Sequence, residues 1–121
     1  MDYVAGFTVF NDVSARDAQA DEAVMALGPA KGKFFRNSLV MGPCVVTKDE
    51  LPDYADLAMT ARVNGEVVTE NRTSGMLFSL GQLVAQISQD VYLNPGDFIG
   101  LGTSPEGNAT CSKLGRWIQP G

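Results

Sequence analysis

An α+β fold, mainly strands with two helices, is predicted by three features: alternating residues 3–10, strand-like segments on either side of Asn64-Gly65, and two stretches of helical pattern. At 121 residues and 45% hydrophobic content the chain suits a single domain with a modest core. In the opening segment Tyr3, Ala5, Phe7 and Val9 share one face, and Val4, Gly6, Thr8 and Phe10 the other. Both faces are largely apolar, so this strand is expected to be buried. A polar run then begins. Ser14 stands where a helix N-cap would stand, and Asp17, three residues on, completes a variant capping box. Asp12 therefore falls at the end of a strand, beside the positive start of a helix.

Residues 15–27 have helix-forming composition, and Gly28-Pro29 ends that helix. A glycine-flexed loop covers 31–35. Its Gly32-Lys33 pair is not a phosphate loop, because Leu27 occupies the place of the first glycine and Phe34 follows the lysine. Residues 38–47 read as a mostly buried strand interrupted at Met41-Gly42-Pro43, where proline suits an edge or a bulge. Cys44 lies in that apolar run and reads as a small core residue.

The polar segment 48–54 is a surface connection. Residues 57–63 and 66–70 flank the preferred two-residue turn Asn64-Gly65, which makes them a hairpin. Ser79 and Gln82 form a capping box ahead of a helix over 80–89, with Leu80, Leu83, Val84 and Ile87 on the face that covers the sheet. Asn94-Pro95-Gly96-Asp97 is a turn with glycine where positive φ is required. Residues 98–103 read as a short strand ending at Thr103, and 104–108 as a loop.

A formal charge of −5 argues against a general nucleic-acid binder, which needs a basic face for phosphates. No apolar run approaches the roughly 20 residues that cross a bilayer, and the N-terminus lacks a basic segment followed by an apolar one. A cytoplasmic location is the resulting expectation, with Cys44 and Cys111 as reduced thiols. Histidine is absent, which excludes imidazole ligands and serine–histidine triads within this sequence. Any metal is expected to be held by oxygen.

The run Val4-Ala5-Gly6-Phe7-Thr8-Val9-Phe10-Asn11-Asp12-Val13-Ser14-Ala15-Arg16-Asp17-Ala18-Gln19 resembles the signature of the fumarylacetoacetate hydrolase family. Members of that family cleave, decarboxylate or isomerise small oxo acids at a divalent metal. The similarity extends from Asp2 to the Trp117-Ile118 end, so the resemblance implies that 1–121 is the central and later part of the catalytic domain. It implies a partial mixed β-sandwich roll, and family members are commonly homodimers.

The resemblance also implies roles for individual residues. Asp12 matches a ligand to Mg2+ or Mn2+, with Ca2+ as a further candidate, and the family's other ligands are a Glu-x-Glu pair on an earlier strand, outside this sequence. Lys33, in Gly32-Lys33-Phe34-Phe35, matches a lysine of a Gly-Lys-Ser-Phe motif, whose ammonium would neutralise an enolate. Phe34, Arg36 and Asn37 depart from the family's serine, aspartate, and threonine or glycine, although Asn37 keeps hydrogen-bonding capacity. Arg16 and Gln19 match positions that contact metal-bound water or substrate oxygens, and Thr103 matches a threonine that holds the substrate carboxylate. The segment Thr73-Ser74-Gly75-Met76-Leu77-Phe78-Ser79 matches family scaffold, with Met76 and Phe78 as core.

The implied activity is a metal-dependent hydrolase, lyase or isomerase acting on a small 2-oxo acid or 1,3-dicarbonyl compound through an enolate. Each residue also has a plainer reading: Asp12 as a helix cap, Lys33 as a solvated lysine, Arg16 and Gln19 as helix residues, Thr103 as a strand-end hydroxyl. The corresponding alternative for the chain is a non-catalytic scaffold or an organic-acid binding module.

Overall fold

A computed structural model describes residues 2–26, 28–51, 53–103, 117 and 118. Leu27, Cys111 and the loop 104–108 of the sequence reading lie outside the described residues. The chain divides into two compact units, Asp2–Glu50 and Leu51–Gly121. Its described elements are two α-helices, two short 3-10 turns and four antiparallel strands in two two-stranded sheets, an α+β fold. No described helix is long and apolar enough to cross a membrane.

In the unit Asp2–Glu50, β1 (Gly6–Asp12) pairs antiparallel with β2 (Leu39–Thr47), and helix α1 (Arg16–Val24) lies between them in sequence. The ladder runs from Gly6 opposite Thr47 to Asp12 opposite Leu39. Its register shifts between Phe7 and Val9, where Pro43 has no N–H to donate. Thr8 repairs the gap by donating its hydroxyl to the Cys44 carbonyl at 2.8 Å. The expected interruption at Gly42-Pro43 is therefore a bulge.

Three expectations for this unit need correction. The first strand begins at Gly6 rather than residue 3, because β2 ends at Thr47 and offers the earlier residues no partner. It is not buried on both faces: Val9 is 70% exposed, since a two-stranded ladder supplies no second layer. Cys44 is exposed for the same reason and is not a core residue.

In the unit Leu51–Gly121, β3 (Ala58–Val63) and β4 (Glu66–Arg72) form the predicted hairpin. Asn64 and Gly65 both take positive φ, 51° and 84°, as a type I′ turn demands. The open end of the hairpin is closed by side chains. Thr73 donates its N–H to Leu57 O at 2.9 Å, and its hydroxyl accepts from Leu57 N–H at 2.8 Å. Arg72 holds the Asp56 carboxylate with Nε and Nη2, at 2.6 and 2.8 Å, and Ser74 donates to the same carboxylate at 2.6 Å. Residues 73 and 74 thus take part in closing the hairpin.

Helix α2 (Leu80–Ile87) starts with the predicted box: Gln82 N–H donates to the Ser79 hydroxyl, and the Gln82 side chain accepts from Ser79 N–H. Val68 of β4 and Leu80 of α2 are the buried apolar side chains among the described residues. Phe78, expected in the core, is 53% exposed. Residues 94–97 form the expected turn, closed by Asp97 N–H on Asn94 O at 3.0 Å. Residues 98–103 are not a strand, because no described segment pairs with them and a strand exists only by its ladder.

The Asp56 cluster gives a pH test. Hydrogen bonding from Arg72, then from Ser74, holds the Asp56 carboxyl down at about 2, from an ordinary 3.8. Its folded-state value is depressed, so its contribution to stability is present above about pH 4 and is lost as pH falls towards 2. Asp56→Asn should lower the melting temperature at pH 5, and the gap from the wild type should narrow steadily between pH 4 and pH 2. A gap independent of pH would show that the ion pair does not stabilise the fold.

Candidate active site

The end of β1 is a corner built by backbone bonds. Asp12 is the last residue of β1, and Val13 N–H reaches back to Asn11 O and across to Ser38 O, at 3.1 and 3.2 Å. Ser38, just before β2, is buried. The chain then enters α1, whose N-cap is Ala15 with no side-chain cap. The expected Ser14–Asp17 capping box does not form. Ser14 instead donates its hydroxyl to Asp12 O at 3.1 Å, and Asp17 Oδ1 accepts from Ala18 N–H at 2.8 Å.

What draws Ser14 away is Lys33. Its Nζ donates to Ser14 Oγ at 2.7 Å and makes an ion pair with Asp12 Oδ2. The two charged residues lie 21 positions apart in sequence. They meet because the turn before Lys33 is docked on α1: Ala15 N–H donates to Gly32 O at 3.0 Å, and Lys33 N–H to Ala30 O at 3.0 Å. The docking is close. A Cβ on Gly32 would meet the Gln19 side chain, and would stand 3.1 Å from Gln19 N and 3.2 Å from Ala15 O. Only glycine fits there without displacing helix backbone.

The electrostatics define what this corner can do. The Lys33 side chain is 23% exposed and that of Asp12 48%, so the pair is half-solvated and contributes only about 0–1 kcal/mol to stability. Its effect is geometric. An ammonium carries three N–H donors, and Asp12 and Ser14 accept two of them. Among the described residues, no acceptor meets the third.

Arg16 donates from Nη1 to Gln19 Oε1 at 3.1 Å. Both line an open hollow of about 400 Å3 on α1, with Ala20, Ala23 and Pro29. Asp12 and Lys33 are not among its lining residues. Asn37 takes a left-handed φ of 62° in the turn that leads into β2, a conformational task that asparagine tolerates. Thr103 belongs to the unit Leu51–Gly121 and is exposed. Ser14 is the site residue that sequence reasoning missed, because its pattern fits a helix cap equally well.

The described residues do not fit a resident hard cation by themselves. They bring one carboxylate to the corner, and Lys33 already engages it. Among the described residues no three histidine, cysteine, aspartate or glutamate side chains cluster at metal-binding distance.

The chain is similar to known proteins over all or most of its length. The family model for the fumarylacetoacetate (FAA) hydrolase C-terminal domain matches residues 1–121. The rat mitochondrial oxaloacetate tautomerase Fahd2a is 46% identical over 105 residues, 87% of this chain and 33% of that protein. An uncharacterized protein of Staphylococcus aureus strain USA300 is 36% identical over 121 residues, 100% of this chain and 39% of its own. The chain thus spans between about a third and two fifths of the length of these curated relatives. Among solved structures, a putative fumarylacetoacetate hydrolase family protein from Yersinia pestis superposes with a TM-score of 0.73 at 25% identity, over 77% of this chain and 44% of that one. A 2-hydroxyhepta-2,4-diene-1,7-dioate isomerase from Mycobacterium marinum gives 0.71 at 38% identity, over 79% and 35%.

Two outcomes follow from the corner's geometry. Gly32→Ala should destabilise the chain by about 1–3 kcal/mol in urea denaturation, because the atoms it meets include helix backbone. Millimolar Mg2+ or Mn2+ should move the melting temperature of the chain by less than about 1 °C, equally in Asp12→Ala, because a single engaged carboxylate binds such ions weakly. A larger shift abolished by Asp12→Ala would mean that residues outside the described set complete a cage.

Proposed function

This chain belongs to the fumarylacetoacetate hydrolase family, and from that membership we propose that it furnishes the lysine-bearing corner of an enzyme that isomerises or hydrolyses small enolisable oxo acids. The observation that carries the reading is the half-buried Lys33 ammonium, with two N–H groups fixed by Asp12 and Ser14 and no further acceptor among the described residues. Two relatives support the substrate class through their names, an oxaloacetate tautomerase and a 2-hydroxyhepta-2,4-diene-1,7-dioate isomerase. Each named compound is a dicarboxylate that interconverts between a 2-oxo form and its enol.

In that reading the 2-oxo oxygen of the acid accepts the third Lys33 N–H. As the neighbouring carbon gives its proton to solvent water or a buffer base, the C–H electron pair moves into the enolate and negative charge grows on that oxygen, where a pre-positioned ammonium stabilises it without reorganising. Asp12 and Ser14 hold Nζ where the charge develops. Arg16, whose guanidinium suits a carboxylate, and the Gln19 amide would orient the acid groups. In a longer protein Asp12 is the ligand this chain would contribute to Mg2+ or Mn2+, with the other donors coming from elsewhere.

A second reading, organic-acid binding without turnover, is favoured by the single carboxylate at the corner. The test uses the full chain with oxaloacetate, following the decay of enol absorbance towards the keto form. Under the enzymatic reading, Lys33→Met lowers the rate above buffer by at least about 10-fold while the circular dichroism stays native. A Lys33→Met rate equal to wild type removes Lys33 from the chemistry. If no rate exceeds buffer but oxaloacetate raises the melting temperature only when Lys33 is present, the binding reading holds.

A further inference from the structure

The loop that delivers Lys33 is held by a carboxylate outside the corner. Glu22, half-buried on α1, accepts three consecutive backbone N–H groups: Ala30 at 3.0 Å and Gly32 at 3.3 Å on Oε2, and Lys31 on Oε1. Three successive N–H groups converging on one anion form a concave nest. Such a row would suit a phosphate or a substrate carboxylate, but here the chain's own side chain fills it. A carboxylate suits the task because its two oxygens together accept up to about four hydrogen bonds, each strengthened by the charge.

Gly32 is the pivot. Its N–H goes to Glu22 and its carbonyl accepts from Ala15, so both of its backbone groups are bonded to the α1 segment. Lys33 is the next residue and starts from a fixed peptide. The bonds Lys33 makes at its far end are half-solvated and too weak to order a loop by themselves. Removing Glu22 would leave three adjacent donors without their acceptor and free the turn from one of its two attachments.

We propose that Glu22 is a positioning residue: by occupying the N–H row of Ala30, Lys31 and Gly32, it sets where the Lys33 ammonium stands relative to Asp12 and Ser14. The inference rests on the reading of Lys33 as the chemically active group, but its first readout does not depend on turnover.

The experiment compares the full chain with Glu22→Ala and Glu22→Gln. A short pulse of an amine-acylating reagent, read by mass spectrometry, gives the reactivity of Lys33 relative to Lys48, at a temperature well below each protein's melting point. Enol absorbance of oxaloacetate gives kcat and KM. In Glu22→Ala, Lys33 labelling should rise at least about 3-fold, and kcat should fall about 10- to 100-fold with KM moved less than about 3-fold, as for an ångström-scale misplacement. Glu22→Gln should be intermediate. Its amide keeps one acceptor oxygen for Ala30 and Gly32, but turns an NH2 towards Lys31 N–H.

A Glu22→Ala protein with a lower melting temperature and wild-type Lys33 labelling would overturn the proposal, since Glu22 would then be merely structural. If Glu22→Ala does not fold, the same criterion applies to Glu22→Gln. If labelling rises but no protein, wild type included, turns over the acid, the positioning inference stands and the catalytic reading of Lys33 fails.

Discussion

The contact between Gly32 and the start of α1 is the constraint on which the rest of the first unit depends. The loop 28–37 has no regular structure, so it cannot place a side chain by periodicity. It places Lys33 by lying so close to Gln19 and Ala15 that no Cβ fits between them. Everything that makes the corner a candidate site follows from that approach. Lys33 reaches back over 21 positions to Asp12, Ser14 leaves the helix start to accept from Lys33, and α1 begins with no side-chain cap. A cap typically contributes about 1 kcal/mol. The chain forgoes it at Ser14, and local stability yields there to the placement of one ammonium.

Much of the fold was legible because its signals are local. Asn64-Gly65 fixes a turn by backbone conformation alone, and Ser79 with Gln82 closes a box three residues wide. Pro43 announces the bulge because a missing donor must fall somewhere in the ladder. Where the reading failed, the answer depended on what lies opposite. Residues 98–103 have strand composition but no described partner, and Val9, Cys44 and Phe78 have apolar character but no described layer over them. Composition can state a preference for burial; it cannot supply the covering element.

The candidate site was legible only through family resemblance. Nothing in periodicity or spacing joins Asp12 to Lys33, and the notable contacts of Ser14 and Glu22 run through a loop, at separations of 19 and 8 to 10 residues. A Ser followed by a carboxylate three positions later reads as a helix start whether or not it becomes one. Glu22 has no motif at all, since its partners are backbone groups, which every sequence supplies. The alignment with longer relatives and the solved folds establishes ancestry, while the division of labour within the corner comes from the geometry.

The pairing of Lys33 with Asp12 has a consequence for encounter. At distances large against their separation the two charges cancel, and beyond about a Debye length, roughly 8–10 Å, the remaining charge of a chain whose formal total is −5 is screened as well. The corner therefore exerts no long-range pull on an acid. In the proposed function, discrimination would come only after collision, when a single oxygen can address one N–H separately from the carboxylate behind it.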